Sequence, residues 1–409
     1  MVSSAQFTEL PFELDHPAIA YSTRPSANVV DALNSRLRSG EATLPYDEKT
    51  GYLAPLLAAL DVSVDSQIVV FSRTSLQSTL IRPRNPRAIY FNDSVVVAWV
   101  RGGFIEIAAH DPTQGGVFYR VLRAAAGPPT MFRDNSCLQC HYSFATAGVP
   151  GFLVRSVPSA VDGETLPWLG NYQTDHRSPL SERWAGWFVT GRTGASRHLG
   201  NAPIADRSVD DIVVDAANLN LADLRGRFET DRYLSPHSDV VALLVFNHQM
   251  RMMNLLTRIG WEARVLAHDG RSEAEIESAL WSIAAETVDY MLFVDEARLE
   301  GVSGSSRFAE TFSRRGPRDS KGRSLRDFDL TSRLFRYPCS YMIYSDAYEQ
   351  LPAAARRAIY ARLWEVLSGA DRSPKYARLS AADRDRIIEI LRETKRDLPA
   401  VFSPRPSRP

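Results

Sequence analysis

The stretch Cys137-Leu138-Gln139-Cys140-His141 constrains this chain more than any other. Two thiols two residues apart, with an imidazole directly after the second, put three reactive side chains on one turn of backbone. The 409 residues contain only three cysteines and eight histidines, so composition alone does not explain the cluster. Three chemistries use only part of it. A CxxC can be a redox dithiol, which calls for thioredoxin-like βαβ surroundings that the sequence does not display. It can be half of a zinc site, but Cys339 is the only other cysteine and no second CxxC or HxxxH follows. It can also close as a local disulfide.

The chemistry that uses all three groups is attachment of haem c. The thiols add to the two vinyl groups, and the adjacent imidazole sits below the iron as its proximal ligand. At this motif the chain resembles c-type cytochromes. That resemblance implies Cys137 and Cys140 as thioether positions, His141 as iron ligand, and one covalent haem, since no second CxxCH occurs. It covers the attachment segment only. The motif lies far from the N-terminus and no methionine falls between Met131 and Met250, so His/Met ligation and the small carrier fold do not follow from it. Tyr90-Phe91-Asn92-Asp93, Arg197-His198-Leu199-Gly200-Asn201 and Arg336-Tyr337-Pro338-Cys339-Ser340 resemble phrases of large bacterial haem proteins.

The other side of the iron decides between carrying electrons and catalysis. His198 is the first distal candidate: it lies in a glycine-flanked loop able to approach a flat ring. Arg197 beside it is a candidate for a haem propionate, since guanidinium forks match carboxylates. His248 is the second, on an apolar helical face with Val241, Leu244, Met252 and Leu255. An imidazole there is also what a satisfied core histidine looks like. His237 is about three turns earlier, roughly 16 Å along such a helix, too far to share an ion with His248. His176, between Asp175 and Arg177, is expected to be exposed. His16, His110 and His268 sit in polar or turn contexts. Met131 is placed to pack on a haem edge, and Met250, Met252 and Met253 read as core. Trp168, Tyr172, Trp184 and Trp187 cluster between the motif and His198, either lining a pocket or packing ordinarily. Cys339 reads as a buried thiol.

Lys plus Arg equals Asp plus Glu at 48 each, which gives no bias toward nucleic acid. No run of 18 apolar residues occurs, so no transmembrane segment is expected. The first residues lack the basic and apolar regions of a secretory leader. The resemblance implies a periplasmic or otherwise exported location, so the numbering is taken to describe a mature or trimmed chain; the alternative is a cytosolic protein whose motif is not a haem site.

The expected fold class is α+β, not a small all-α carrier. Residues 1–125 form a mixed region with short helices at Val29–Leu37 and Tyr52–Leu60. An antiparallel meander follows over 66–123, with strands at Ile68–Phe71, Ala88–Phe91, Val95–Val100, Phe104–Ala109 and Val117–Leu122. Residues 126–235 are loop-rich and contain the haem segment; an apolar cofactor is expected to organise them. Residues 236–400 are helical. Ser235-Pro236 starts a helix that Gly260 ends, and Ser272 opens a capping box. Further helices run over Ala353–Ser368 and from Ser380 to Arg396. The basic stretch 301–326 is expected to be a solvated loop or a docking site for an acidic redox partner, and 401–409 a disordered tail.

Two functions from different classes follow. One is an exported mono-haem c-type protein in electron transfer or haem-based redox catalysis, peroxidase-like or otherwise. It would work with a soluble or membrane-bound redox partner and a small-molecule substrate of unknown class. The chain's length favours an oxidoreductase or sensor over a plain carrier. The other is a non-catalytic structural or interaction protein that haem stabilises. A metal hydrolase using His198, His237 and His248 has weaker support, with no HExxH or paired carboxylates.

Overall fold

The computed structural model describes residues 13–121 and 129–403. Helices α1 (Val29–Ser39) and α2 (Leu53–Ala59) come first. Asn28 caps α1 by accepting from the Val30 and Asp31 amides. The expected meander follows as β1 (Ile68–Val70), β2 (Arg87–Phe91), β3 (Val95–Val100), β4 (Ile105–Asp111) and β5 (Gly115–Val121). Leu122 and Gly127-Pro128 lie outside the described residues. Then come β6 (Met131–Arg133), the one-turn helix α3 (Leu138–His141), the ribbon β7 (Arg155–Ser156) and β8 (Tyr172–Gln173), and β9 (Trp187–Phe188). One sheet of seven strands forms in the order β6-β5-β4-β3-β2-β1-β9, each neighbouring pair antiparallel. The loop-rich segment thus supplies both edges of a sheet whose middle the hydrophobic alternation had located.

That alternation also divides the interior. Ile105, Ile107, Ala109, Val117, Tyr119 and Val121 face a core shared with α1 and α2. Their neighbours face the other way. One row crosses the sheet through Ile68, Ile89, Ala98, Glu106, Arg120 and Phe132. This face is apolar over β1–β3 and packs on the larger core. It turns charged at β4 and β5, and the cysteine motif sits there.

The helical half comprises α4 (Val240–His268), α5 (Glu273–Met291), α6 (Phe308–Arg314), α7 (Asp346–Glu349), α8 (Ala353–Leu367) and α9 (Ala381–Thr394). Capping boxes at Ser272 and Ser380 open α5 and α9 where the sequence places them. The main core draws residues from Ile68 through to Phe402, so sheet, loop-rich segment and helices share one interior. No helix among the described residues is long and apolar enough to cross a membrane.

Three expectations are corrected. The long helix starts at Val240, capped by Asp239, because the Ser235 hydroxyl accepts from the His237 amide instead. It also runs through Gly260, whose missing side chain admits Leu351: a Cβ there would lie 3.1 Å from Leu351 Cδ2. The stretch 301–326 is not a solvated loop. It contains α6, which buries Phe308 and Phe312, and Arg326 stacks over Phe312 and Tyr341 while pairing with Asp93. The tail does not begin at 401, since Phe402 is fully buried; residues 404–409 lie outside the described range.

Asp239 does more than cap α4. One carboxylate oxygen accepts from the Val241 and Ala242 amides, the other from the Ser305 and Ser306 amides and the Ser306 hydroxyl. Asp239→Ala removes the cap and strands buried donors, so urea unfolding should show a loss of about 3 kcal/mol. Ser235→Ala should stay within about 0.5 kcal/mol of the parent.

Candidate functional site

Asp134 accepts from the Ser136 amide and starts a tight turn over Asn135–Cys137, which continues into α3. Cys137, Cys140 and His141 therefore stand at i, i+3 and i+4 on one helical turn and share a face. The turn lies over β5, with the His141 ring 4.7 Å from that of Phe118. His141 is bound to Gly151 twice. Its carbonyl accepts from the Gly151 amide at 2.8 Å, and its Nδ1 meets the Gly151 carbonyl at 2.9 Å. A carbonyl can only accept, so Nδ1 carries the hydrogen. Burial pulls the His141 pKa down and keeps the ring neutral. The free lone pair is then on Nε2, the arrangement metal-bound histidines share when their second nitrogen donates to a backbone carbonyl.

All three cysteines are free; Cys140 is exposed, Cys137 half-buried and Cys339 buried. Burial and the nearby Asp134 and Glu106 carboxylates push the Cys137 thiol up to about 12. A redox dithiol needs the reverse, a thiol whose pKa is lowered. Zinc needs ligand atoms that converge. Among the described residues only His16, His268 and Asp269 bring three such atoms together. Even there, His16 Nδ1 accepts from the Ala18 amide, so its other nitrogen holds the hydrogen and points to Asp269, as in a hydrogen-bonded imidazole.

The structure does not gather the other predicted site residues around His141. His198 is buried beside β9, where its Nδ1 accepts from the Gly200 amide and its ring meets Trp184 edge-on. From β5 to β9 is five strand steps, roughly 24 Å at about 4.8 Å each. Two ligands of one iron must lie within a few ångströms. Arg197 donates to the Val214 carbonyl. His248 has neither ring nitrogen free: Nδ1 meets His176 Nδ1 at 2.8 Å and Nε2 meets Ser340 Oγ at 2.7 Å. Its ring lies between Tyr290 and Phe293. His237 precedes α4 rather than riding on it, and His198, His237 and His248 form no metal centre. Met131 faces the opposite core, against α1. Of the aromatic cluster, Trp184 and Trp187 are buried, Tyr172 is half-buried and Trp168 is 64% exposed.

Two features escaped the sequence. His176 is buried, contrary to its polar neighbours: Asp175 and Arg177 pair with each other while the ring between them turns inward. Asn254 is 1% exposed and binds both the amide and the carbonyl of Phe152, next to Gly151. A lone amide among Met253, Leu255 and Leu256 gave no sign of it.

No protein-family model matches the chain, and comparison with curated proteins and with solved structures finds no match.

Two expectations follow from these environments. A thiol reagent at pH 8 should modify Cys140 first, Cys137 much more slowly, and Cys339 only on unfolding, as mass spectrometry of timed quenches would read. Burial holds His110 and His198 at about 4 and His248 at about 3, and takes His176 well below its usual value. Below pH 6.5 the unfolded chain protonates these rings while the folded chain does not. Stability that is full above 6.5 should therefore fall with pH by up to ~1.4 kcal/mol per unit for each ring, down to those values. Glu296, which burial lifts to about 7, acts oppositely: its contribution is full below 4.5 and is lost as pH rises through 7. With His141 also lowered and Glu262 also raised by burial, five rings outweigh two carboxyls, so the urea midpoint should drop steadily from pH 6.5 to 4.5.

Proposed function

We propose that the chain carries one haem c, bonded through Cys137 and Cys140 with His141 as proximal ligand. The observation that supports this most is the His141 Nδ1–Gly151 carbonyl contact at 2.9 Å, which leaves Nε2 as the donor. The residues around the motif fit the group. Both thiols are free and stand on one helical turn with the imidazole. Phe132 and Phe144 flank the motif with 54% and 61% of their surface exposed, apolar area that a porphyrin would cover. Arg120, close enough to act on the Cys137 thiol, is a candidate guanidinium for a propionate in place of Arg197. It already pairs with Asp134, so the propionate would share it.

Bound haem supplies an iron able to exchange electrons and bind small ligands. The chain's part would be to hold His141 neutral and oriented over β5 and to keep the thiols on one face. His198 is about five strands away and His248 has both nitrogens engaged, so neither would reach an iron held by His141. We therefore read the protein as an exported haem oxidoreductase or ligand-binding sensor rather than a plain carrier. The substrate and redox partner are left open.

Protein made in cells able to attach haem c should give one covalent haem per chain in a pyridine haemochrome assay, with a high-spin oxidised spectrum. Cys137→Ser or Cys140→Ser should leave a single thioether, and the double variant should leave none. A colourless wild-type chain from such cells overturns the reading; a low-spin six-coordinate spectrum returns it to electron carriage.

A further inference from the structure

We infer that Asn254 is a positioning residue for His141, acting from α4 through the Phe152 peptide; its meaning for an iron ligand rests on the haem reading above. The His141 ring is oriented by the Gly151 carbonyl, and Gly151 lies in a stretch outside any strand ladder. A carbonyl there keeps its direction only if its own peptide group, which ends in the Phe152 amide, is fixed. Asn254 fixes that peptide and the one after it: Oδ1 accepts at 2.8 Å from the Phe152 amide, which shares a peptide plane with the Gly151 carbonyl, and Nδ2 donates to the Phe152 carbonyl at 2.7 Å. The side chain thus replaces a missing neighbouring strand. On the other side, the Gly116 amide donates to the Pro150 carbonyl at 2.7 Å, tying the segment to β5. Gly151 is held between helix and sheet.

The fit requires glycine at 151. A Cβ there would lie 2.3 Å from Asn254 Oδ1 and 3.3 Å from the Thr146 Cβ. The backbone at 151 has no positive φ, so the demand comes from the close approach of Asn254 and not from conformation. Asn254 and Gly151 are therefore two halves of one device. The device sits on a buried 29-residue helix, and its output is the hydrogen on His141 Nδ1.

Nitrogen NMR of the haem-free, histidine-labelled chain reads that hydrogen directly. The parent should hold His141 almost wholly in the Nδ1–H form. Asn254→Ala should drop this form to a minority with the fold retained, because Asn254 lines a cavity of about 180 Å³ from which water can reach the freed Phe152 groups. Gly151→Ala should scramble the tautomer as well. The double variant should be no worse than either single, since removing the amide relieves the clash. Asn247→Ala, a buried amide on the same helix that holds Thr174 instead, should leave His141 unchanged, as mere loosening of α4 would not. In haem-loaded protein, Asn254→Ala should lower the iron–histidine stretching frequency and raise the reduction potential, since a weaker bond at Nδ1 makes a poorer donor. A folded Asn254→Ala chain with an unchanged His141 tautomer overturns the proposal even if haem is attached. A shifted tautomer in a chain that never takes up haem supports the proposal while removing the haem reading.

Discussion

Buried amide groups on α4 hold the middle of this protein together. Loop backbone that leaves water must find partners for every amide and carbonyl, and 142–235 contains few ladders to provide them. Asn247 donates to the Thr174 carbonyl and accepts from the Trp184 indole; Gln249 donates to the Asn92 carbonyl and accepts from Tyr341; Asn254 takes both groups of Phe152. Asp239 adds the Ser305–Ser306 turn at the start of the helix. Each of these side chains is nearly fully buried, so each bond forms where an unpaired group is costly. The mixed character of α4, apolar with amides interspersed, is what lets one helix both fill a core and anchor irregular chain.

The loop-rich stretch suggested that something apolar must organise it. Side chains of α4 take hold of that stretch at Phe152, Thr174 and Trp184. Support for haem now rests on the attachment turn itself: the orientation of His141, the free thiols and the apolar rings beside them. The electrostatics there point the same way. Glu106 and Asp134, with burial, oppose a Cys137 thiolate, which disfavours dithiol exchange but leaves a thiol available for thioether chemistry.

Much of the architecture was legible because it follows from periodicity and capping. The strands from Ile68 to Val121 alternate as a half-buried meander must, and Ser272 and Ser380 carry their capping boxes openly. What was hidden depends on distance in space. Nothing local distinguishes Asp239 from Ser235 as the cap; the choice is made by Ser305 and Ser306, more than sixty residues on. Gly260 looks like a helix end until Leu351 is placed against it. At the site, the five-residue motif was visible but its surroundings were not. His198 and His248 have plausible local contexts, yet sheet order puts one far from His141 and the His176–Ser340 contacts occupy the other. Asn254 had no local signal, since its partner Phe152 is 102 residues away.

The spacing of those partners also bears on the order of events in folding. The attachment turn leaves the ribosome long before α4, which supplies the amides for Asn92, Phe152 and Thr174 across separations of 157, 102 and 73 residues. Contacts this remote form late, because the loops they close must first be brought together. Until α4 docks, Gly151 has no anchor on its helix side, although the β5–β6 ladder and the Asp134 amide on the Phe118 carbonyl already tie the attachment turn to β5. During synthesis the His141 ring thus passes through a period without its fixed orientation, which ends when the helix arrives and Asn254 takes hold of Phe152.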